Sequence, residues 1–334
     1  MASSSAQQQP GAGAVATGAT SPGEPGAGAG ATGATSPDEP GALAAPLASP
    51  AEWEAYHSRW EGIWRNGCAP GQFFDKASSS PSLLSLLSLP LTPAQERHLA
   101  AAGGGGGSGG PPPAVDARGK RALVPGCGRG YDVVAFARAG AAEAVGLELS
   151  AAAAEAARSY VAGELAGGQE AARARVQQGD FFDAGALPPA SFDLGYDLTF
   201  LCALHPGMRE GWARRWALLL RPGGRLVTAC FPIDPSRDQN AGPPWPLTPA
   251  LYERLLLGGR EGAGAQGGGD GDGEGAGRGD GGGEGAGDGT GGGAGGGAGS
   301  GGAMFRKVYL APVPPGMSVP DRAGLEWLGI WERL

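Results

Sequence analysis

Residues 121–134 read RALVPGCGRGYDVV. A short apolar run, RALV, meets a turn in which Gly126, Gly128 and Gly130 alternate, and YDVVAFARA at 131–139 then takes up helical spacing. Strand, Gly-rich turn and helix in that order open a βαβ unit. The same rhythm continues downstream. AVGLEL at 144–149 predicts a second strand, and Ser150 is placed to cap a helix running through AAAAEAARSYVA. Further strands are expected near 174–178, at 192–201 and at 225–231 (RLVTACF), with a helix over 208–220 closed by Pro222-Gly223-Gly224. Alternation of this kind predicts an α/β fold, a parallel sheet with helices on both faces, whose ligands sit at the carboxyl ends of the strands.

The residues at those strand ends carry the chemistry. Without Cβ atoms, Gly126 and Gly128 let the backbone N–H groups approach a ligand, beside the partly positive start of a helix. Glu148, at the end of the second strand and 22 residues after Gly126, is placed to accept both hydroxyls of a ribose. Position 131 is Tyr where a dinucleotide fingerprint wants Gly, so nicotinamide chemistry is the lesser reading. After the third strand, Asp180 can bond the exocyclic amine of an adenine and Phe181 can cover its ring. Turn, ribose acid and adenine pair together describe a site for S-adenosylmethionine. Trp53, Tyr56, Trp60 and Trp64 fall at i, i+3, i+7 and i+11, a stripe that suits a packed helix face and a lid over the site equally well.

Composition sets the limits. Of 66 Gly in 334 residues, 27 lie in 258–303, seven in 103–110 and nine in 1–50. The tract ATGATSPGEPGA at 16–27 returns at 31–42 with one change. Such segments bury too little apolar surface to offset the entropy of ordering them. Residues 1–50 are therefore expected to be a disordered tail, 258–303 a disordered Gly-rich insertion, and 51–257 with 304–334 one domain. The tail carries three of the eight net negative charges and the insertion five, so the remainder is about neutral. Nothing in that balance favours the basic face a nucleic-acid partner usually needs, and none is expected. Cys68, Cys127, Cys202 and Cys230 are widely spaced with no CxxC pair, so neither a metal site nor a disulfide framework is expected. MASSSAQQQ has no apolar signal core, the first cation is Arg59, and no apolar run approaches a membrane span. A cytoplasmic monomer acting on a small molecule is the expectation.

WEGIW at 60–64, PGQFFD at 70–75, RALVPGCGRGYDVV at 121–134, VGLELS at 145–150, GDFF at 179–182 and FDLGYDLTFLCALHP at 192–206 occur in the order found in one family, and LLRPGGRLVT at 219–228, FPI at 231–233, GPPWPL at 242–247 and GLEWLGIW at 324–331 continue it. The chain resembles the thiopurine S-methyltransferase family, in its branch of plant-type thiol and halide methyltransferases. The resemblance implies a Rossmann-like class I S-adenosylmethionine-dependent methyltransferase fold with a mostly parallel seven-stranded sheet. It also implies cofactor contacts from Trp60, Trp64, Phe74, Gly126, Gly128, Glu148, Asp180, Phe181 and Asp197.

Transfer of the methyl to a thiol, halide, hydrosulfide or thiocyanate is the activity the resemblance implies. The competing reading is a non-catalytic cofactor-binding scaffold with disordered interaction arms. A soft anion needs no base, which suits a sequence without an evident His or Lys dyad; His205, just past the fourth strand, is the one catalytic candidate, and it could equally be a turn residue before Pro206. Leu198 stands where many relatives carry Tyr, which predicts a more apolar acceptor pocket. Arg237, in the loop at 231–245, is a candidate to attract an anionic acceptor.

Overall fold

The computed structural model describes residues 50–101, 111–238, 240–258 and 303–334. The tail expected at 1–50 and the insertion expected at 258–303 lie, but for their border residues, outside the described residues, as does the whole of the 103–110 run. A helix α1 spans Pro50–Arg65, with Glu52 in its first turn and Arg65 in its last, where each complements the helix dipole. Two short helices follow, α2 (Pro81–Leu86) and α3 (Pro93–Ala101), each opened by a proline whose missing N–H costs nothing there.

The alternating region then begins with β1 (Arg121–Pro125), α4 (Tyr131–Arg138), β2 (Glu143–Glu148), α5 (Ala151–Glu164) and β3 (Ala174–Gln178). Ser150 caps α5 as expected, its hydroxyl accepting from Ala153 N at 3.1 Å. Next come β4 (Phe192–Leu198), α6 (Arg209–Leu219), β5 (Leu220–Cys230), α7 (Pro249–Leu257), β6 (Phe305–Pro312) and β7 (Trp327–Arg333). The seven strands form one sheet in the order β3-β2-β1-β4-β5-β7-β6. The first five are parallel, and β7 runs antiparallel to both its neighbours. This is the Rossmann-like class I architecture. The chain leaves β1 toward β2 on one side and reaches β4 on the other, which opens a crevice at their carboxyl ends.

Two differences from the sequence expectation have local causes. The fourth strand stops at Leu198 rather than 201, because Thr199 takes φ 57° and a short turn at Leu201–Ala203 follows. The helix expected to end at Pro222-Gly223-Gly224 ends at Leu219, and those three residues lie inside β5. Phe192 pairs with Leu220 and Leu194 with Arg225, so the Pro-Gly-Gly triplet is accommodated as an irregularity in the ladder, where a residue without N–H loses no bond.

Side chains alternate across the sheet as the two-residue period requires. Leu123, Val145, Leu147, Leu226 and Trp331 face one core with Trp212 and Trp216 of α6. Ala122, Val124, Ala144, Val227 and Ile330 face the other with Val133 and Phe136 of α4. Among the described residues no helix is long and apolar enough to cross a membrane.

Candidate functional site

The Gly-rich turn leaves β1 with Gly126 at φ 56° and Gly128 at φ 52°, conformations that side chains rarely adopt. A Cβ on Gly126 would lie 2.7 Å from the Phe200 ring, so the ring packs this closely on the turn only because no Cβ is there. Glu148 closes the arrangement from β2. Its Oε2 accepts from Gly128 N at 2.9 Å and its Oε1 from Ser150 N at 3.1 Å, which leaves each oxygen a lone pair for a further donor. Burial pushes its carboxyl up to about 7, against the opposing pull of those backbone N–H groups.

Around the turn lies a cavity of about 720 Å³, within the range of small-molecule sites. Trp60, Trp64, Phe74, Gly126, Gly128 and Glu148, all expected from the sequence, line it. The aromatic wall is built by edge and tilted contacts: Phe74 lies 5.8 Å from the Trp60 ring and 5.8 Å from the Trp64 ring. Asp180 and Phe181 line instead an adjoining recess of about 30 Å³, which Gly126 and Phe200 share with the larger cavity. Trp53, Tyr56 and Phe182 close that recess to roughly the room a water or two needs. An adenine could enter only if those rings moved. Asp180 is held there by its own turn, Oδ1 accepting from Phe182 N at 2.8 Å, and burial raises its pKa. Arg215, wholly buried in α6, donates to the carbonyls of Phe181 at 2.8 Å and Asp183 at 2.7 Å and so fixes the acid–aromatic loop from behind.

Three candidates lie elsewhere. Asp197 is 1% exposed and lines neither cavity; its Oδ1 accepts from Leu201 N at 3.2 Å and its Oδ2 from Trp212 Nε1 at 2.7 Å. Strand alternation aims it into the α6 side of the core, where burial lifts its carboxyl to about 6 and its work is to hold the turn after β4. Tyr196 and Leu198, one residue to either side, pack on the opposite core, so Leu198 does not shape the cavity wall. His205 is exposed, its Nδ1 accepts from Gly207 N at 3.2 Å, and its ring meets Trp245 edge-on at 5.5 Å. It caps a short turn and borders neither cavity. Arg237 does not border them either; its loop contributes Phe231, Pro243 and Pro244.

Sequence reasoning missed a cation that does reach the cavity. Arg322, in the irregular segment before β7, is 4% exposed, and its guanidinium lies 4.7 Å from the centre of the Phe231 ring. It acts on the carboxylates of Asp321 and Glu326 through space and favours their ionised forms, while Asp321 also pairs with Lys76 at 2.6 Å. Nothing in the spacing of VPDRAG marks it: it lies nearly two hundred residues from the Gly-rich turn and belongs to no periodic element. Cys202 also lines the cavity, but burial pushes its thiol up to about 12, so it stays protonated and packs. No group of three or more His, Cys, Asp or Glu among the described residues could hold a metal.

Comparison with known proteins bears on the family of the chain. The family model described as thiopurine S-methyltransferase matches residues 113–267, which include the turn, Glu148, Asp180 and Phe181. The chain is 43% identical over 137 residues to a probable thiol methyltransferase 2 of Arabidopsis thaliana, covering 41% of this chain and 56% of that protein. It is 33% identical over 201 residues to thiocyanate methyltransferase 1 of Brassica oleracea, covering 59% of this chain and 71% of the relative. Among solved structures it is similar to a Burkholderia thailandensis 1,6-didemethyltoxoflavin N1-methyltransferase, at 20% identity and a TM-score of 0.47 over 86% of this chain and 92% of that one. With the Brassica protein matched at 33% identity over more than two thirds of its length, the chain belongs to the thiopurine S-methyltransferase family, in the branch of the plant thiol and thiocyanate methyltransferases.

Proposed function

We propose that the protein methylates a small thiolate or comparable soft anion, such as hydrosulfide, thiocyanate or a halide, with S-adenosylmethionine as donor. The observation that carries this reading is the buried Arg322 guanidinium, a cation in the same cavity as the Gly-rich turn and Glu148. A cation in such a cavity attracts an anionic acceptor. When bound, S-adenosylmethionine supplies a sulfonium methyl: the acceptor's lone pair forms the new bond to carbon while the old carbon–sulfur pair returns to the donor, leaving a neutral thioether.

The chain's own residues fit that group and its reaction. Gly126 and Gly128 admit a nucleoside against bare backbone, and the spare lone pairs of Glu148 suit a ribose diol. Trp60 and Trp64 offer π faces for a sulfonium, an attraction of about 0.5–2 kcal/mol, and with Phe74 they form an aromatic part of the cavity lining. Arg322 would hold the acceptor opposite them and, for an organic thiol, favour the ionised form. No general base is then required, which agrees with the position of His205 outside the cavity. The test is methyl transfer from labelled donor to hydrosulfide, thiocyanate, iodide, bromide and small organic thiols offered in competition. A folded protein that binds the donor and alkylates none of these overturns the assignment.

A further inference from the structure

The segment between α1 and α2 ends in a carboxylate that no part of the proposed chemistry uses. The Asp75 side chain is 2% exposed and accepts four hydrogen bonds. Its Oδ2 takes Arg129 Nε at 2.8 Å; its Oδ1 takes Tyr131 Oη at 2.9 Å, Ala77 N at 2.8 Å and Gly71 N at 3.3 Å. Arg129 lies inside the Gly-rich turn, between Gly128 and Gly130, and Tyr131 is the first residue of α4. From the turn, Arg129 also donates Nη2 to the Cys68 carbonyl at 2.5 Å and lays its guanidinium 5.4 Å from the Trp64 ring centre. Phe74, the residue before Asp75, carries the contacts to Trp60 and Trp64. One buried carboxylate therefore joins the two walls between which the donor would lie: the backbone of the turn and the aromatic face of α1.

We propose that Asp75 is a positioning residue for the donor site. It acts through Arg129 and Phe74, setting the distance between turn and aromatic wall, and touches neither donor nor acceptor. The proposal rests on the reading of this cavity as an S-adenosylmethionine site. None of the four hydrogen bonds of Asp75 goes to Arg322, so the effect of losing Asp75 is expected to fall on the donor.

Calorimetric titration of the full chain with S-adenosylmethionine tests it, with melting curves to show that each variant is folded. Asp75→Asn leaves Arg129 without its counter-ion and is expected to weaken donor binding at least about tenfold. Tyr131→Phe removes a single hydrogen bond from the same carboxylate and is expected to weaken it about two- to tenfold. In turnover, the KM for the donor rises in both variants while the KM for the acceptor holds. Trypsin gives a readout independent of activity: the donor should slow cleavage after Arg65 and Lys76 in the unaltered protein and do so less in Asp75→Asn. Should Asp75→Asn fail to fold, Tyr131→Phe decides alone. Folded variants that melt lower yet bind the donor as tightly as the unaltered protein show a purely structural role and overturn the proposal. If the unaltered protein itself binds no donor, the reading of the site fails instead.

Discussion

Glu148 offers a measurable link between burial and binding. Its carboxyl titrates near 7 in the free protein because burial disfavours the charge more than the N–H groups of Gly128 and Ser150 favour it. A ribose diol presents two donors and a sulfonium brings a positive charge, so the bound form favours the carboxylate. The donor must therefore displace a proton whenever the pH lies below about 7. At pH 6 a group of that pKa is roughly nine-tenths protonated and at pH 8 roughly one-tenth, which makes donor binding on the order of tenfold weaker at pH 6 than at pH 8. Calorimetry at pH 6 in buffers of differing ionisation enthalpy should show close to one proton released per donor bound. Glu148→Gln should flatten this dependence and weaken binding at pH 8 by about ten- to a hundredfold, the worth of a hydrogen bond to a charged group. Both carboxylate oxygens already accept from backbone N–H groups, so either orientation of the amide turns an NH2 toward a donor. Asp180, whose pKa burial also raises, is told apart by Asp180→Asn. A flat profile in the unaltered protein, or a slope that survives Glu148→Gln, would refute the assignment of this carboxylate to the ribose.

Arg322→Met should raise the acceptor KM about tenfold or more and leave the donor's dissociation constant unchanged; steady-state kinetics with an unchanged acceptor KM would remove the arginine from the site. His205→Ala should keep kcat within about twofold, as for a surface substitution, and a loss of tenfold or more would return the imidazole to the chemistry. Gly195→Ala drives a Cβ into the Trp216 ring beneath β4. Chemical denaturation should show a loss of about 1–3 kcal/mol, and no loss would mean that α6 shifts freely.

The elements most legible in the sequence were those whose signals are local. The turn at 126–130, the acid at the end of β2 and the Ser150 cap depend on neighbours a few residues apart, and each stands where spacing put it. The aromatic stripe of α1 was ambiguous because a packed face and a pocket wall demand the same residues; Trp60 and Trp64 turn out to serve as wall while also packing on Phe74. Asp197 was misplaced for a reason the sequence does contain. Residues at strand ends alternate in direction, and Asp197 takes the face that looks toward Trp212, away from the cavity. Arg322 and Asp75 were invisible for another reason. Their partners, Phe231 in one case and Arg129 with Tyr131 in the other, are brought to them by tertiary structure across more than fifty residues of chain.

The carboxyl edge of the sheet concentrates acids that folding would prefer protonated. Glu148 and Asp132 titrate near 7 and Asp197 near 6, in each case chiefly through burial, against ordinary values near 4. A carboxylate whose pKa is raised on folding binds more protons in the native state than in the unfolded one. Stability contributed by these groups is thus complete below about pH 4 and declines as the pH rises toward 7. Donor binding through Glu148 runs the opposite way, strengthening over the upper part of that window. Near neutrality the free protein therefore holds buried negative charge at a cost in stability, and a cationic donor bound beside Glu148 would recover part of it.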